Sequence, residues 1–93
     1  MSELTSKEKA AFRKAAQRLK PAIIIGKKGI TPALLTEMDK ALESEALVKV
    51  AFKADRETIG VLIEELEAKT ASQCVGGVGK RRSFYRKNSE EAE

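Results

Sequence analysis

Hydrophobic and polar positions recur along this chain with a period that changes several times, and each change marks an element. Thr5-Ser6-Lys7-Glu8 has the form of a capping box, a threonine oxygen with a glutamate three residues on. Behind it Phe12, Ala15, Ala16 and Leu19 fall at helical spacing and make a narrow apolar stripe. Lysines, arginines and Gln17 occupy the other sides. The spacing predicts a helix over 6–19, ended by Pro21, whose ring and missing N–H forbid continuation. Ala22–Ile25 is a short apolar run bounded by proline and glycine. It predicts a strand buried on both faces.

Helical spacing resumes after Gly29. Thr31 and Pro32 suit the N-cap and first helical positions. Ile30 and Leu35 are placed as a hydrophobic staple, and Leu34, Met38, Ala41 and Leu42 carry a stripe to about residue 44. At Leu47–Lys53 the period drops to two. Val48, Val50 and Phe52 alternate with Lys49, Ala51 and Lys53, predicting a strand with one buried face. Asp55 caps a third helix, whose stripe Ile59, Leu62, Ile63 and Leu66 runs to near Lys69. A third strand is expected at 72–76, a turn or bulge at GGVGK, and a fourth strand at Arg82–Arg86.

The order α-β-α-β-α-β-β predicts an α/β fold, a single compact domain over 4–87 with a four-stranded mixed sheet and three helices. Strands alternating with helices pair in parallel through right-handed crossovers. The last two, joined by a short turn, should be antiparallel. The acidic stretch 88–93 is expected to be a disordered tail.

Composition narrows the function. The 93 residues, 42% hydrophobic, suit one modest core. There is no apolar run long enough for a transmembrane span, and MSELTSKEKA lacks the apolar region of a signal peptide, so a cytoplasmic location is expected. Cys74 is the single cysteine and histidine is absent. That removes the commonest general base and the commonest metal ligand. No cofactor, metal or small-molecule substrate is expected. Glu64 and Glu65, neighbours on a helix, point about 100° apart and look like surface charge. Catalysis is disfavoured throughout.

The net charge of +4 hides a strong segregation. Residues 1–29 are net +6, residues 30–79 net −4, residues 80–87 net +5 and residues 88–93 net −3. If the fold joins the two basic segments, one face becomes strongly positive, the footprint of a polyanion binder. The acidic residues Glu37, Glu43, Glu64, Glu65 and Glu67 support an alternative, a protein-interaction module that docks a basic partner protein.

IIIGKKGIT, residues 23–31, concentrates the question. Two adjacent lysines repel each other, and a loop that served only as a connection would gain nothing from them. The glycines let the backbone approach another chain closely, and the following helix aims its N-terminal amides and positive dipole end at the same place. The spot favours an anion, with phosphate the obvious candidate. The spacing is too short for G-x-x-x-x-G-K-[ST], so a nucleotide P-loop is excluded. The better match is the GxxG loop of KH-type modules, which clamps a single-stranded nucleic-acid backbone. The candidate RNA-binding residues are Gly26, Lys27, Lys28, Gly29 and Thr31, then Lys9, Arg13, Arg18 and Lys20 on the first helix, then Lys80, Arg81, Arg82 and Arg86. Phe84 and Tyr85 face opposite sides of a strand; one should be core, and the other either packs or stacks a base.

The segments LTSKEKAAFRKAAQRLKP, IIIGKKGIT, LLTEMDKALESEALVKV and VGK…FYR together resemble the YhbY-like single-domain CRM proteins (chloroplast RNA splicing and ribosome maturation) over roughly residues 4–87. The resemblance implies a fold similar to the C-terminal domain of translation initiation factor three, with a KH-like GxxG loop at Gly26, Lys27, Lys28 and Gly29. It implies RNA as partner: bacterial members are associated with precursors of the large ribosomal subunit, and plant members with group II intron splicing. A non-catalytic, monomeric protein acting on precursor rRNA in ribosome assembly is the expectation, and in the alternative reading the acidic helices dock a ribosomal or assembly protein. Gly76-Gly77 departs from the bulkier or polar residues usual there, which implies a looser third strand or an altered bulge.

Overall fold

The computed structural model describes residues 4–87; the tail expected to be disordered lies outside the described residues. Three helices and four strands follow in the expected order: α1 (Ser6–Ala16), β1 (Ile23–Ile25), α2 (Pro32–Glu45), β2 (Leu47–Phe52), α3 (Arg56–Thr70), β3 (Gln73–Val78) and β4 (Arg81–Tyr85). Each predicted cap forms. Thr5 and Glu8 exchange both bonds of the capping box. Thr31 Oγ1 accepts from the Leu34 amide at 3.1 Å and Asp55 Oδ1 from the Thr58 amide at 2.8 Å. These side chains satisfy amides that the first helical turn leaves without partners.

The sheet order is β1-β2-β4-β3. β1 and β2 are parallel, with Ile23 opposite Val50 and Ile25 opposite Phe52. β3 does not pair with β2. It passes to the far edge, and β4 returns between them, antiparallel to both. The helices divide between the two faces. α2 and α3 cover one, where Ile23, Ile25, Met38, Leu42, Val48, Val50, Phe52, Ile59, Leu66 and Phe84 form the core. α1 lies across β3, β4 and β2 on the other.

That division corrects two expectations. β1 is an edge strand covered on one face only, so Ile24 is 58% exposed rather than buried. α1 stops at Ala16, and the chain tightens through bonds from the Leu19 amide to Ala16 O and the Arg18 amide to Ala15 O. Such i→i+3 bonds commonly close a helix end. Leu19 and Ala15 are consequently exposed, and Ala16 alone of the predicted stripe is fully buried, with Phe12 half-buried. Phe12 stacks on Tyr85 with ring centroids 4.2 Å apart and planes at 19°. Phe84 is core, so both aromatics of β4 pack inside the protein and Tyr85 has a ring partner other than a base.

The expected turn or bulge at GGVGK is both, and the third strand runs two residues past its expected end. Gly76 and Gly77 lie within β3, across a bulge between Cys74 and Gly76, and the turn to β4 is Gly79-Lys80. Gly76 has φ +115°, and a Cβ there would come within 2.5 Å of Arg13 Cδ. A bulge adds a residue to one strand and sharpens its twist; here it lets α1 approach the sheet.

Arg86 holds the opposite end of the molecule together. Its guanidinium donates to Thr70 O at 2.8 Å, to Asp39 Oδ1 at 2.9 Å, to Asp39 O at 3.1 Å and to Glu43 Oε2 at 3.3 Å. One side chain thus ties β4 to α2 and to the last residue of α3. The two carboxylates are more than half exposed, so the ion pairs contribute little, and the bond to the buried Thr70 residue counts for more. Arg86→Ala is expected to cost about 2 kcal/mol, the range for hydrogen bonds to charged groups. A thermal melt within 2 °C or so of the native protein would contradict this, because about 4–8 °C accompanies each kcal/mol in a domain of this size.

Candidate nucleic-acid interface

The topology decides which basic residues meet. β1 and β2 end at the same edge of the sheet, and β4, antiparallel to β2, begins there. Backbone bonds tie that edge together: the Lys53 amide donates to Ile25 O at 2.9 Å and the Phe52 amide to Lys80 O at 2.8 Å. The GKKG loop after β1, Lys53 after β2 and the Gly79-Lys80 turn before β4 therefore stand side by side. Two strand spacings, roughly 10 Å, separate the first from the last. Two basic segments far apart in sequence become one positive rim.

Within the loop, the Gly29 amide donates to Gly26 O at 3.0 Å, closing a β-turn with Lys27 and Lys28 at its two central positions. Gly29 has φ +70° and needs to be glycine on conformational grounds; Gly26 does not have a positive φ. Both lysines are exposed, and neither has an ion-pair or hydrogen-bond partner among the described residues. The helix start behind them offers less than expected. Pro32 has no amide hydrogen, and the Leu34 amide is already bonded to Thr31 Oγ1, so Thr31 is occupied as a cap.

A groove of about 590 Å³ opens beneath this rim on the α1 face. Arg13, Lys49, Lys80 and Arg81 line it, with no acidic residue. Arg13 donates to Val75 O at 3.2 Å, and Lys49 Nζ to Leu19 O at 3.2 Å, which holds both side chains over the sheet. Each keeps further donors free for a ligand. Asp55 lies at the rim as well. Hydrogen bonds from Thr58, side chain first and backbone amide second, hold its carboxyl below the ordinary range, and the charge of Lys80 acts in the same direction.

Other predicted site residues lie elsewhere. Arg82 alternates with Arg81 and points to the opposite face. Lys9 is half-buried in a shallow depression with Glu67, Ser72 and Gln73. Arg18 and Lys20 are exposed in the connection after α1. Arg86 is committed to Thr70, Asp39 and Glu43 at the far end of β4, so its placement in an RNA track is withdrawn. Lys49 and Lys53 were missed by sequence reasoning; their alternation on the wet face of β2 was the available signal. The acidic set proposed for protein docking is largely engaged within the chain. Glu43 pairs with Arg86, Glu65 with Lys69, and Glu67 accepts from the Cys74 amide. Burial pushes the Cys74 thiol up, away from a reactive thiolate. No group of metal-ligating side chains and no helix long and apolar enough to cross a membrane occurs among the described residues.

The fold is thus a small α/β domain that carries a lysine turn and a cationic groove at one end of its sheet. The sequence profile of the CRS1 / YhbY (CRM) domain matches residues 4–86, and the chain belongs to that family. It is 36% identical over 86 residues to a Pseudomonas aeruginosa protein named as a probable RNA-binding protein, covering 91% of this chain and 83% of that one. A Haemophilus influenzae protein named as RNA-binding is 34% identical, covering 97% and 92% respectively. The solution structure of the hypothetical protein SAV1595 from Staphylococcus aureus, described as a candidate RNA binder, has the same fold. Its TM-score is 0.83 at 31% identity, with 94% of this chain and 92% of that one covered. These relatives are named for RNA binding and not for an enzymatic activity.

Proposed function

We propose that residues 4–87 form a non-catalytic RNA-binding domain that engages large-subunit precursor rRNA during ribosome assembly. The observation that carries the RNA reading is the meeting of the GKKG turn, Lys53 and the Gly79-Lys80 turn at one end of the sheet, with Lys27 and Lys28 free of protein partners among the described residues. Lys27 and Lys28 contact backbone phosphates, and Gly29 permits the turn that projects them. Arg13, Lys49, Lys80 and Arg81 continue the track along the groove. Arg18 and Lys20 extend it past the end of α1. The names of the relatives support RNA as the ligand class, and the family resemblance supports the rRNA target. The protein acts as a cytoplasmic monomer in this reading.

Binding to fragments of large-subunit precursor rRNA, set against an unrelated RNA of equal length at two salt concentrations, tests the assignment. A preference for the precursor that persists at the higher salt is expected. Equal affinities would leave RNA binding in place and remove the rRNA target.

A further inference from the structure

We infer that the groove between α1 and the β3–β4 hairpin receives one unstacked nucleotide of single-stranded RNA, base inward and phosphate at the mouth. This rests on the RNA reading above and adds a base-binding subsite that phosphate contacts alone do not require.

The chemistry of the walls differs from that of the floor. Around the mouth stand the four cations Arg13, Lys49, Lys80 and Arg81; no carboxylate lines the groove itself, and Asp55 lies outside it within electrostatic reach of Lys80. The floor is flat and weakly polar. Gly77 leaves its backbone exposed and Val78 adds apolar surface, while the stem of Arg13 lies over Gly76. Val78 is 79% exposed, an apolar residue that no part of the described chain covers. A phosphate alone uses the mouth and leaves this floor without a purpose. A nucleotide uses both. The volume of about 590 Å³ lies within the ~300–1,000 Å³ range of small-ligand sites.

Ser83 is the second observation that points to a ligand. It lies on β4 at the middle of the α1 face, opposite Lys49 and Gly76, and is 2% exposed. Its hydroxyl has no hydrogen-bond partner among the described residues. No fully enclosed polar side-chain atom lacks a partner, so the Ser83 oxygen reaches the groove, which Ser83 also lines. A hydroxyl that both donates and accepts can meet the edge of any base. The Gln17 amide, exposed and unpaired at the rim, adds a second such group. A duplex hides its bases in the stack and can reach only the mouth. Single-stranded RNA can splay a base into the floor, where its edge meets these groups.

Two measurements on the whole chain test the inference. The first titrates the native protein with adenosine 5′-monophosphate and, separately, with ribose 5-phosphate, reading backbone amide shifts. The base-bearing ligand is expected to move Gly76, Gly77 and Ser83, and the sugar phosphate to move them much less. Equal shifts with both ligands, or none at these amides, would overturn the subsite. The second compares the native protein with Gln17→Glu/Val78→Asp, both exposed positions, on an oligouridylate and on a fully paired RNA duplex. The added charges weaken both, but affinity for the single strand should fall about fivefold further, as for the loss of one net hydrogen bond. Equal losses on the two ligands would sink the inference and leave the RNA reading intact. A native protein that binds neither RNA would remove both.

Discussion

Lys27→Asp with Lys28→Asp is expected to lower affinity for single-stranded RNA by roughly a hundredfold at low salt, with the melting temperature unchanged. Each lysine that neutralises a phosphate releases counterions, and each contact on a single strand contributes about 0.7 to the slope of log affinity against log salt. Loss of two contacts should therefore flatten the slope by about 1.4. Reversal to aspartate adds repulsion to the loss. Stability is unaffected because the two side chains are exposed at the centre of a turn whose closing bond joins Gly26 O to the Gly29 amide. Exposed substitutions of this kind fall within about 0.5 kcal/mol. The readout is fluorescence anisotropy across a salt series, with a thermal melt of each protein. If both proteins bind with the same affinity and slope, the turn is outside the interface and the groove cations carry the contact alone.

Gly77→Ala should give the largest loss of stability. An added Cβ would collide with the Arg81 carbonyl oxygen, far inside van der Waals contact, and would lie 2.9 Å from Arg82 Cα. Both are backbone atoms of the paired strand, and neither can swing aside as a side-chain end would. The Gly77–Arg82 pair must open, which takes the cost to about 3 kcal/mol, the upper part of the usual range for overpacking. At about 4–8 °C per kcal/mol, the melting temperature falls by roughly 15 °C. RNA affinity of the folded fraction should fall as well, because the hairpin carries Lys80 and Arg81 into the rim. Gly79→Ala is the control. Gly79 has φ +61° with nothing near its added Cβ, so it carries only left-handed strain, about 1–2 kcal/mol. Melting temperatures that coincide for the two variants would mean that close packing across the hairpin is not what requires Gly77.

The contrast between Gly77 and Arg86 shows where sequence reasoning reached its limit. The run GGVGK reads locally as a turn or bulge, since glycine punctuates loops. Only the pairing of β3 with β4 shows that the strand runs on through Gly77 to Val78, and that the missing side chains of Gly76 and Gly77 admit Arg13 and the neighbouring backbone. Arg86 reads locally as one more cation in KRRSFYRK. Five residues of strand carry it from the rim to the far end of the sheet, where Thr70, Asp39 and Glu43 await it. Charge runs in a strand are not surface patches: a rise of about 3.3 Å per residue spreads them along the sheet, and alternation splits them between its faces.

The elements themselves were legible because their signals are local. Thr5, Thr31 and Asp55 mark helix starts by a side-chain oxygen within reach of an amide three residues on. Helix ends were less so, since α2 and α3 finish at Ala46 and Ala71 with positive φ rather than at glycine, and α1 ends before its pattern does. By itself the sequence determined seven elements in order, the apolar face of each helix except α1, a mixed four-stranded sheet, and a paired-lysine turn suited to phosphate. The tertiary structure alone decided that β4 inserts between β2 and β3, and that choice is what sets Lys80 beside Lys53 and the GKKG turn. Strand order depends on long-range pairing and on which faces the helices cover, and neither leaves a mark within any short window of residues. The cationic groove follows from the same choice, because α1 can meet the β3–β4 hairpin only where the bulge and the two glycines let it approach.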